Sequence, residues 1–147
     1  MSKYVSVLLA AALSSAALLG IAQQTATPKI KNVPIQQTSP TSGAQMYVSY
    51  CAVCHGRDGS GNGPAAPALK MAPTDLRTLS QKNGGTFPSD HVAAVLQFGV
   101  SNPAHGTPDM PIWGDLMRTL NHNPQQGSME VKQRISNLTD YLKTLQY

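Results

Sequence analysis

Five consecutive residues contain both cysteines of the chain, in the order Cys51-Ala52-Val53-Cys54-His55. This C-x-x-C-H order is the pattern of a c-type haem attachment site. Two thiols three residues apart lie on one helical turn, so both can add to the vinyl groups along one haem edge. The histidine that follows then lies under the iron and can donate a ring nitrogen to it. The pattern predicts one covalently bound haem c, attached through Cys51 and Cys54, with His55 as an axial iron ligand.

Three other kinds of site also use a pair of closely spaced cysteines. A C-x-x-C pair can be a redox dithiol, half of a zinc site or a local disulfide. A redox dithiol usually follows a strand in a βαβ unit, and no strand is indicated before Cys51. A tetrahedral zinc site needs four ligands, and the chain has no second cysteine pair. The adjacent His55 and an N-terminal export signal favour haem over these alternatives.

A six-coordinate haem needs a second ligand on the far side of the iron, and Met110 is the leading candidate. It lies in a proline-rich loop, and Pro111 stiffens the backbone beside it, so its thioether can be held in one place. A methionine ligand raises the reduction potential. His105 is the main rival, and ligation by two histidines would lower the potential. The other methionines considered as ligands are Met71, Met117 and Met129, although Met129, like Met46, is also interpreted as a core residue on a helix face.

Two further residues are expected to support the haem. A backbone carbonyl in the glycine- and proline-rich loop at residues 56–69 can accept the Nδ1–H of His55 and so fix its tautomer. Pro67 is the first candidate for this carbonyl and Pro64 is the second. Trp113 is predicted to pack against the porphyrin, and a plain core tryptophan is the alternative. Neither His91 nor His122 is predicted to be a ligand, because each is expected at the surface.

The elements that must position these residues are all predicted to be helices. The first begins at a Thr41 or Ser42 cap and ends near Cys54; Gly43 within it indicates either a close helix crossing or a fraying end. A short helix opens with Thr74 as its cap, and another runs from a Ser89 cap to a stop at Gly99. The last helix is predicted from a Ser128 cap to about Leu145. Its apolar residues give the clearest helical period in the chain, at Val131, Ile135, Leu138, Leu142 and Leu145. No strand is indicated, so the predicted fold class is all-α.

The N-terminus has the pattern of an export signal. Lys3 precedes an apolar stretch, and small residues lie before a cut after Ala22. Residues 1–22 are therefore predicted to be a signal peptide, residues 23–41 a flexible leader and residues 42–147 one domain. The alternative is an uncleaved anchor in the inner membrane, which would be the only membrane contact expected. In both cases the domain is predicted to be exported to the periplasm, where c-type haem is attached in bacteria.

Composition and charge exclude one class of partner. The formal net charge is +4, and lysine and arginine are scattered without a run or interleaved aromatic residues. This distribution does not predict nucleic-acid binding. A mildly basic surface is compatible with weak steering of an acidic redox partner protein, whose identity the sequence does not specify.

With these motifs in place, the chain resembles the class I c-type cytochromes, the small soluble single-haem electron carriers. The resemblance covers about residues 42–145. It rests on the Cys51-x-x-Cys54-His55 motif, on Met110-Pro111-x-Trp113 and on the amphipathic last helix. The stretch around Met110 is most similar to bacterial cytochrome c domains, some of which are fused to or docked on oxidases and reductases.

The resemblance implies a cytochrome c fold, in which N- and C-terminal helices cross and loops and short helices wrap the haem. Gly43 and Tyr47 occupy the family's crossing positions in the first helix, and Leu138 and Tyr141 occupy those in the last. The family's proline after the haem histidine matches Pro67 in Pro67-Ala68-Leu69, which implies that its carbonyl holds His55.

The predicted function is one-electron transport in a respiratory or related chain, with His55 and Met110 as axial ligands. A protein of this kind is an electron carrier and not an enzyme. Two alternatives remain at this point. One is a haem subunit tethered to an oxidase or reductase complex. The other is a haem enzyme or gas sensor, which would follow if Met110 were not a ligand.

Overall fold

The computed structural model describes residue 31, residues 33–99 and residues 109–147. These residues form helices and connecting loops, without a strand among them, which confirms the predicted all-α class. The predicted signal peptide at residues 1–22, the first part of the predicted leader and His105 lie outside the described residues.

The helix that carries the Cys51–His55 motif consists of three consecutive segments. The first, α1 (Gly43–Met46), begins at Ser42, whose Oγ accepts a hydrogen bond from the Gln45 N–H at 3.2 Å. This N-cap confirms Ser42 as one of the two predicted caps. A π-helical segment (Tyr47–Cys51) follows, and α2 (Ala52–His55) completes the helix.

Short helices occupy the middle of the chain. Two 3₁₀ turns (Ala66–Ala68 and Leu76–Thr78) precede α3 (Leu79–Lys82). Asp75, and not the predicted Thr74, caps the second turn, because its carboxylate accepts the Arg77 N–H. The next helix, α4 (Ser89–Phe98), ends as predicted at Gly99, whose φ of +79° suits a residue without a Cβ. The predicted Ser89 cap was wrong, because Ser89 is the first helical residue and the N-cap, Pro88, makes no side-chain hydrogen bond. The fifth, α5 (Trp113–Arg118), follows the Met110 loop.

The last helix, α6 (Pro124–Thr144), begins earlier than the predicted Ser128 cap. Asn123 is the N-cap, and its side-chain oxygen accepts from the N–H groups of Gln125 and Gln126, each at 3.1 Å. Pro124 at the first helical position has the fixed φ that a helix start requires. The Ser128 hydroxyl instead donates to the Pro124 carbonyl inside the helix, so the predicted cap was wrong.

The longest helix of the described residues, α6, packs against α1, α4 and α5 and so organises the core. It crosses α1 at Gly43, where an added Cβ would meet the Asn137 carbonyl and would lie 2.7 Å from the Tyr141 Cβ. The rings of Tyr47 and Tyr141 contact each other nearby, with centroids 5.3 Å apart. The close helix crossing predicted from Gly43 is therefore present. The core around it consists of buried apolar residues: Met46, Tyr47, Tyr50, Cys51, Ala52, Phe87, Val92, Leu96, Trp113, Met117, Val131, Ile135, Leu138 and Leu142.

The segment before α1 belongs to the packed domain as well. Thr38 is buried, and the fully buried Arg134 of α6 donates to its hydroxyl at 2.9 Å and to its carbonyl at 2.8 Å. Tyr50 shares a hydrogen bond with the same hydroxyl at 2.7 Å. The end of the predicted leader is thus held against the helices, and packing begins before the predicted boundary at residue 42.

Among the helices of the described residues, none combines the length and the apolar composition that crossing a membrane requires.

Candidate haem-attachment site

The three residues of the haem motif lie at the end of the first helix. Cys51 is the last residue of the π-helical segment and is buried, while Cys54 and His55 lie in α2 and are half-buried. Neither cysteine forms a disulfide. Both side chains are therefore free thiols, and they have the three-residue spacing of the C-x-x-C-H pattern.

The loop that follows the motif folds back onto the end of α2. The Gly61 N–H donates to the His55 carbonyl at 2.8 Å, and the Gly63 N–H donates to the Cys54 carbonyl at 3.0 Å. Gly63 approaches so closely that an added Cβ would lie 2.6 Å from the Ala52 carbonyl oxygen. These bonds satisfy carbonyls that a helix end leaves without partners, and they hold the motif in a fixed orientation.

The His55 ring is oriented by the carbonyl of Thr74, which lies 3.0 Å from Nδ1. The prediction that Pro67, or as second candidate Pro64, supplies this carbonyl was wrong, since the bonded carbonyl is that of Thr74. The Leu76 N–H donates to the Gly59 carbonyl at 2.8 Å, and this bond brings the Thr74 segment back to the ring. A carbonyl only accepts hydrogen bonds, so Nδ1 carries the proton and Nε2 keeps the lone pair that a metal ligand needs.

Burial determines the protonation of the motif. It lowers the pKa of His55, and the hydrogen bond to Thr74 opposes this in part, so the ring is neutral at neutral pH. Burial, together with the nearby Cys54, raises the pKa of Cys51 to about 12. The pKa of Cys54 is also raised, by burial and by the charge of Asp109. Reactive dithiols have lowered thiol pKa values, so these protonated thiols do not favour the redox-dithiol alternative.

The Met110 loop lies on the Cys54 side of the motif. Asp109 is close enough to Cys54 for its charge to act on the thiol, and its carboxylate accepts the Lys70 N–H at 2.9 Å. Met110 is half-buried and packs against the core. Met110 thus directly follows a residue whose charge acts on Cys54, and ligation by Met110 stays a prediction.

The other candidate ligands occupy different environments. Met117 and Met46 are fully buried in the core, and Met71 is 57% exposed. Met129 is 66% exposed, so its interpretation as a core residue was wrong. Both His91 and His122 lie at the surface, as predicted. The rival ligand His105 lies outside the described residues.

Trp113 belongs to the buried core and stacks on Tyr50, with ring centroids 5.5 Å apart and an angle of 21° between the ring planes. Tyr50 directly precedes Cys51, so Trp113 packs against the helix that carries the motif. This contact accounts for a core tryptophan, and contact with the porphyrin stays a prediction.

The donor set fits a c-type haem. Two free thiols and an imidazole whose Nε2 is left without a proton are groups that such a haem uses, and the Met110 thioether stays the predicted sixth ligand. The described part of the chain contains no group of three or more His, Cys, Asp and Glu side chains that could hold a bare metal ion.

Two supporting contacts were not anticipated. Thr74 acts through its backbone carbonyl, which every residue has, so its side chain gave no signal in the sequence. Tyr47 donates its hydroxyl to the Gly56 carbonyl at 2.7 Å and so ties the helix to the residue after His55. An aromatic residue at helical spacing from Cys51 was the available signal for this second contact.

Compared with known proteins, the chain matches no family model, no curated protein and no solved structure.

Proposed function

We propose that this protein is a one-electron carrier with one covalent haem c, built on a cytochrome c fold. Cys51 and Cys54 would provide the thioether attachments, and His55 and Met110 the axial ligands. One observation carries the proposal: the Nδ1 of His55 is bonded to the Thr74 carbonyl, which leaves Nε2 as a donor on the residue that follows the second of two free cysteines.

The bound haem would supply the Fe(III)/Fe(II) couple, and the protein's own residues would hold and tune it. Thr74 fixes the tautomer and the plane of the His55 ring and makes its Nε2 a stronger donor. The loop bonds from Gly61 and Gly63 keep the motif in place. This rigid support favours electron transfer, because little has to move when the charge changes.

Met110 decides between an electron carrier and a haem enzyme or gas sensor. A thioether in the sixth position would leave no site for a substrate, so the protein would carry electrons without catalysing a reaction. Met110 packs against the core and directly follows Asp109, whose charge acts on Cys54. This position supports the assignment. An open sixth position would instead support the enzyme or sensor alternative.

The cellular setting of the proposal comes from the sequence. The export signal at residues 1–22 would take the chain to the periplasm, where it would meet redox partner proteins. An uncleaved signal would make it a haem subunit anchored at the inner membrane. The mature N-terminus distinguishes the two, because a start at Gln23 means that the signal has been removed.

Absorption spectroscopy of the ferric protein tests the ligand assignment. The charge-transfer band of a methionine–iron bond should be present in the wild type and absent in Met110→Ala. Met71→Ala is the matched control, because Met71 is also a loop methionine but is exposed, and the band should survive there. A high-spin wild-type spectrum that responds to CO, unchanged in Met110→Ala, would contradict the electron-carrier proposal.

A further inference from the structure

The last two residues of the chain fold back onto the segment that orients His55. The Gln146 side chain donates from Nε2 to the Leu76 carbonyl at 2.8 Å and accepts from the Ser80 N–H at 2.9 Å. The Tyr147 N–H donates to the Arg77 carbonyl at 3.4 Å. The end of the chain therefore contacts three backbone groups within residues 76–80.

This segment determines where the Thr74 carbonyl lies. Thr74 is exposed and sits in an irregular stretch, so its own side chain does little to fix it. The position of Thr74 depends on the residues that follow, which are held by the Leu76 bond to Gly59 and by the bonds to Gln146. A shift of Leu76 would move the carbonyl that accepts the His55 Nδ1–H.

A charged cluster strengthens the same contact. The Arg77 guanidinium donates to the Asp75 carboxylate at 2.8 and 3.0 Å, and it lies 5.4 Å from the centroid of the Tyr147 ring. The Arg77 cation therefore links Asp75, which directly precedes the segment, to Tyr147. Its partial exposure makes Arg77 a secondary contributor, because solvent weakens exposed ion pairs.

Gln146 also connects this segment to the core of the fold. Its Nε2 donates to the Leu142 carbonyl at 2.8 Å, at the end of α6. Since α6 is packed against α1 at Gly43, the chain of contacts returns to the helix that carries His55. The two ends of the His55–Thr74 hydrogen bond are thereby linked through α6 by a chain of contacts.

We infer that Gln146 is a positioning residue for His55, which holds the Thr74 carbonyl against Nδ1 and thereby lowers the reduction potential of the bound haem. The inference rests on the proposed function. A hydrogen bond from Nδ1 to a carbonyl increases the basicity of the ligand, and a more basic ligand stabilises the ferric state. Loosening this bond should therefore raise the potential.

The test compares Gln146→Ala with wild type in the haem-loaded full-length mature protein. The expected results are a higher reduction potential and exchange of the His55 Nδ1 proton with deuterium at least about tenfold faster, because the variant loses three hydrogen bonds and one ordinary hydrogen bond alone is worth about this factor. The exchange is followed by proton NMR in the ferrous state. Gln146→Met is the second variant: it keeps the length of the side chain without its hydrogen bonds, so it should give the same shifts even if the alanine variant folds poorly.

Gln37→Ala is the matched control. Its side chain makes the same kind of bond, from Nε2 to the Leu120 carbonyl at 2.9 Å, and this bond does not involve residues 74–80. Both readouts should stay at their wild-type values in this control. If Gln37→Ala changes the reduction potential and the exchange rate as much as the Gln146 variants do, Gln146 has only a structural role and the inference is wrong.

Two failures can be told apart. If the wild type carries covalent haem ligated by His55, but the Gln146 variants leave the potential and the exchange rate unchanged, the inference is wrong and the proposed function stands. If the wild type carries no covalent haem, the proposed function is wrong and the inference falls with it.

Discussion

The helix crossing at Gly43 predicts that alanine has opposite effects on the free energy of unfolding at Gly43 and at Gly127. In Gly43→Ala, the new Cβ would lie 2.7 Å from the Tyr141 Cβ and would overlap the Asn137 carbonyl. Neither group is the flexible end of a side chain, so relief requires α1 and α6 to move apart. Overpacking of this kind costs about 1–3 kcal/mol.

Gly127→Ala supplies the comparison. Gly127 is also a buried helical glycine, but the nearest atoms to its added Cβ lie at 3.6 Å, which is an ordinary contact distance. Replacing glycine by alanine inside a helix stabilises it by about 1 kcal/mol. The free energy of unfolding should therefore fall in Gly43→Ala and rise in Gly127→Ala, with a difference between the variants of about 2–4 kcal/mol.

Urea denaturation followed by far-ultraviolet circular dichroism measures both free energies. The slope of the free energy of unfolding against urea concentration should be the same in both variants as in the wild type. Equal slopes show that all three proteins unfold from the same compact state. A Gly43→Ala protein as stable as Gly127→Ala would refute the close crossing. It would also mean that the approach of α1 to α6 at Gly43 does not position the helix that carries Cys51, Cys54 and His55.

Three further predictions concern the core and the Thr74 segment. Leu138→Ala should lower the free energy of unfolding by about 2–5 kcal/mol, since Leu138 is fully buried; a loss below about 0.5 kcal/mol would place it at the surface. Thr139→Val should raise the free energy of unfolding by about 1 kcal/mol, because the buried Thr139 hydroxyl has no hydrogen-bond partner among the described residues. A loss of stability in urea would show that this hydroxyl is bonded after all. Hydrogen bonds from the Arg77 side chain lower the pKa of Asp75 from 3.8 to about 2. The stabilisation by this carboxylate is complete above its unfolded pKa and is lost as the pH falls from about 4 toward 2. Asp75→Asn should flatten that part of the stability–pH curve, and identical curves for wild type and variant would contradict the assignment.

Two helix ends were predicted correctly from a single residue. Ser42 caps the first helix through its hydroxyl, and Gly99 ends α4 with a positive φ. The start of α6 was missed although Asn123-Pro124 is an equally good signal. The apolar period begins only at Val131, so the polar first turns of α6 looked like a connector.

The carbonyl that orients His55 was not predictable from residue types. Pro67 and Thr74 both lie downstream of the motif, and each has a carbonyl. The choice depends on how the loop closes on α2 through Gly61 and Gly63 and on the Leu76 bond to Gly59. These contacts exist only in the folded chain, so neither composition nor spacing indicates them.

The packing of residues before α1 was missed for a similar reason. That segment is polar and rich in proline, which is typical of a flexible leader. It is ordered by Arg134, whose buried guanidinium needs acceptors and finds them in Thr38. A buried arginine on a helix that also has exposed cations has no distinguishing mark in the sequence.

The presence of covalent haem is the central claim, and the intact mass of the denatured protein tests it most directly. Acid denaturation releases haem that is held by ligation alone, so only thioether-bound haem remains with the chain. The mature protein, produced with haem attachment in an exporting bacterium, should carry the added mass of one haem. This added mass should be lost in the Cys51→Ala, Cys54→Ala double variant. A wild-type chain without added mass, whose two thiols both react with an alkylating reagent, would contradict the account.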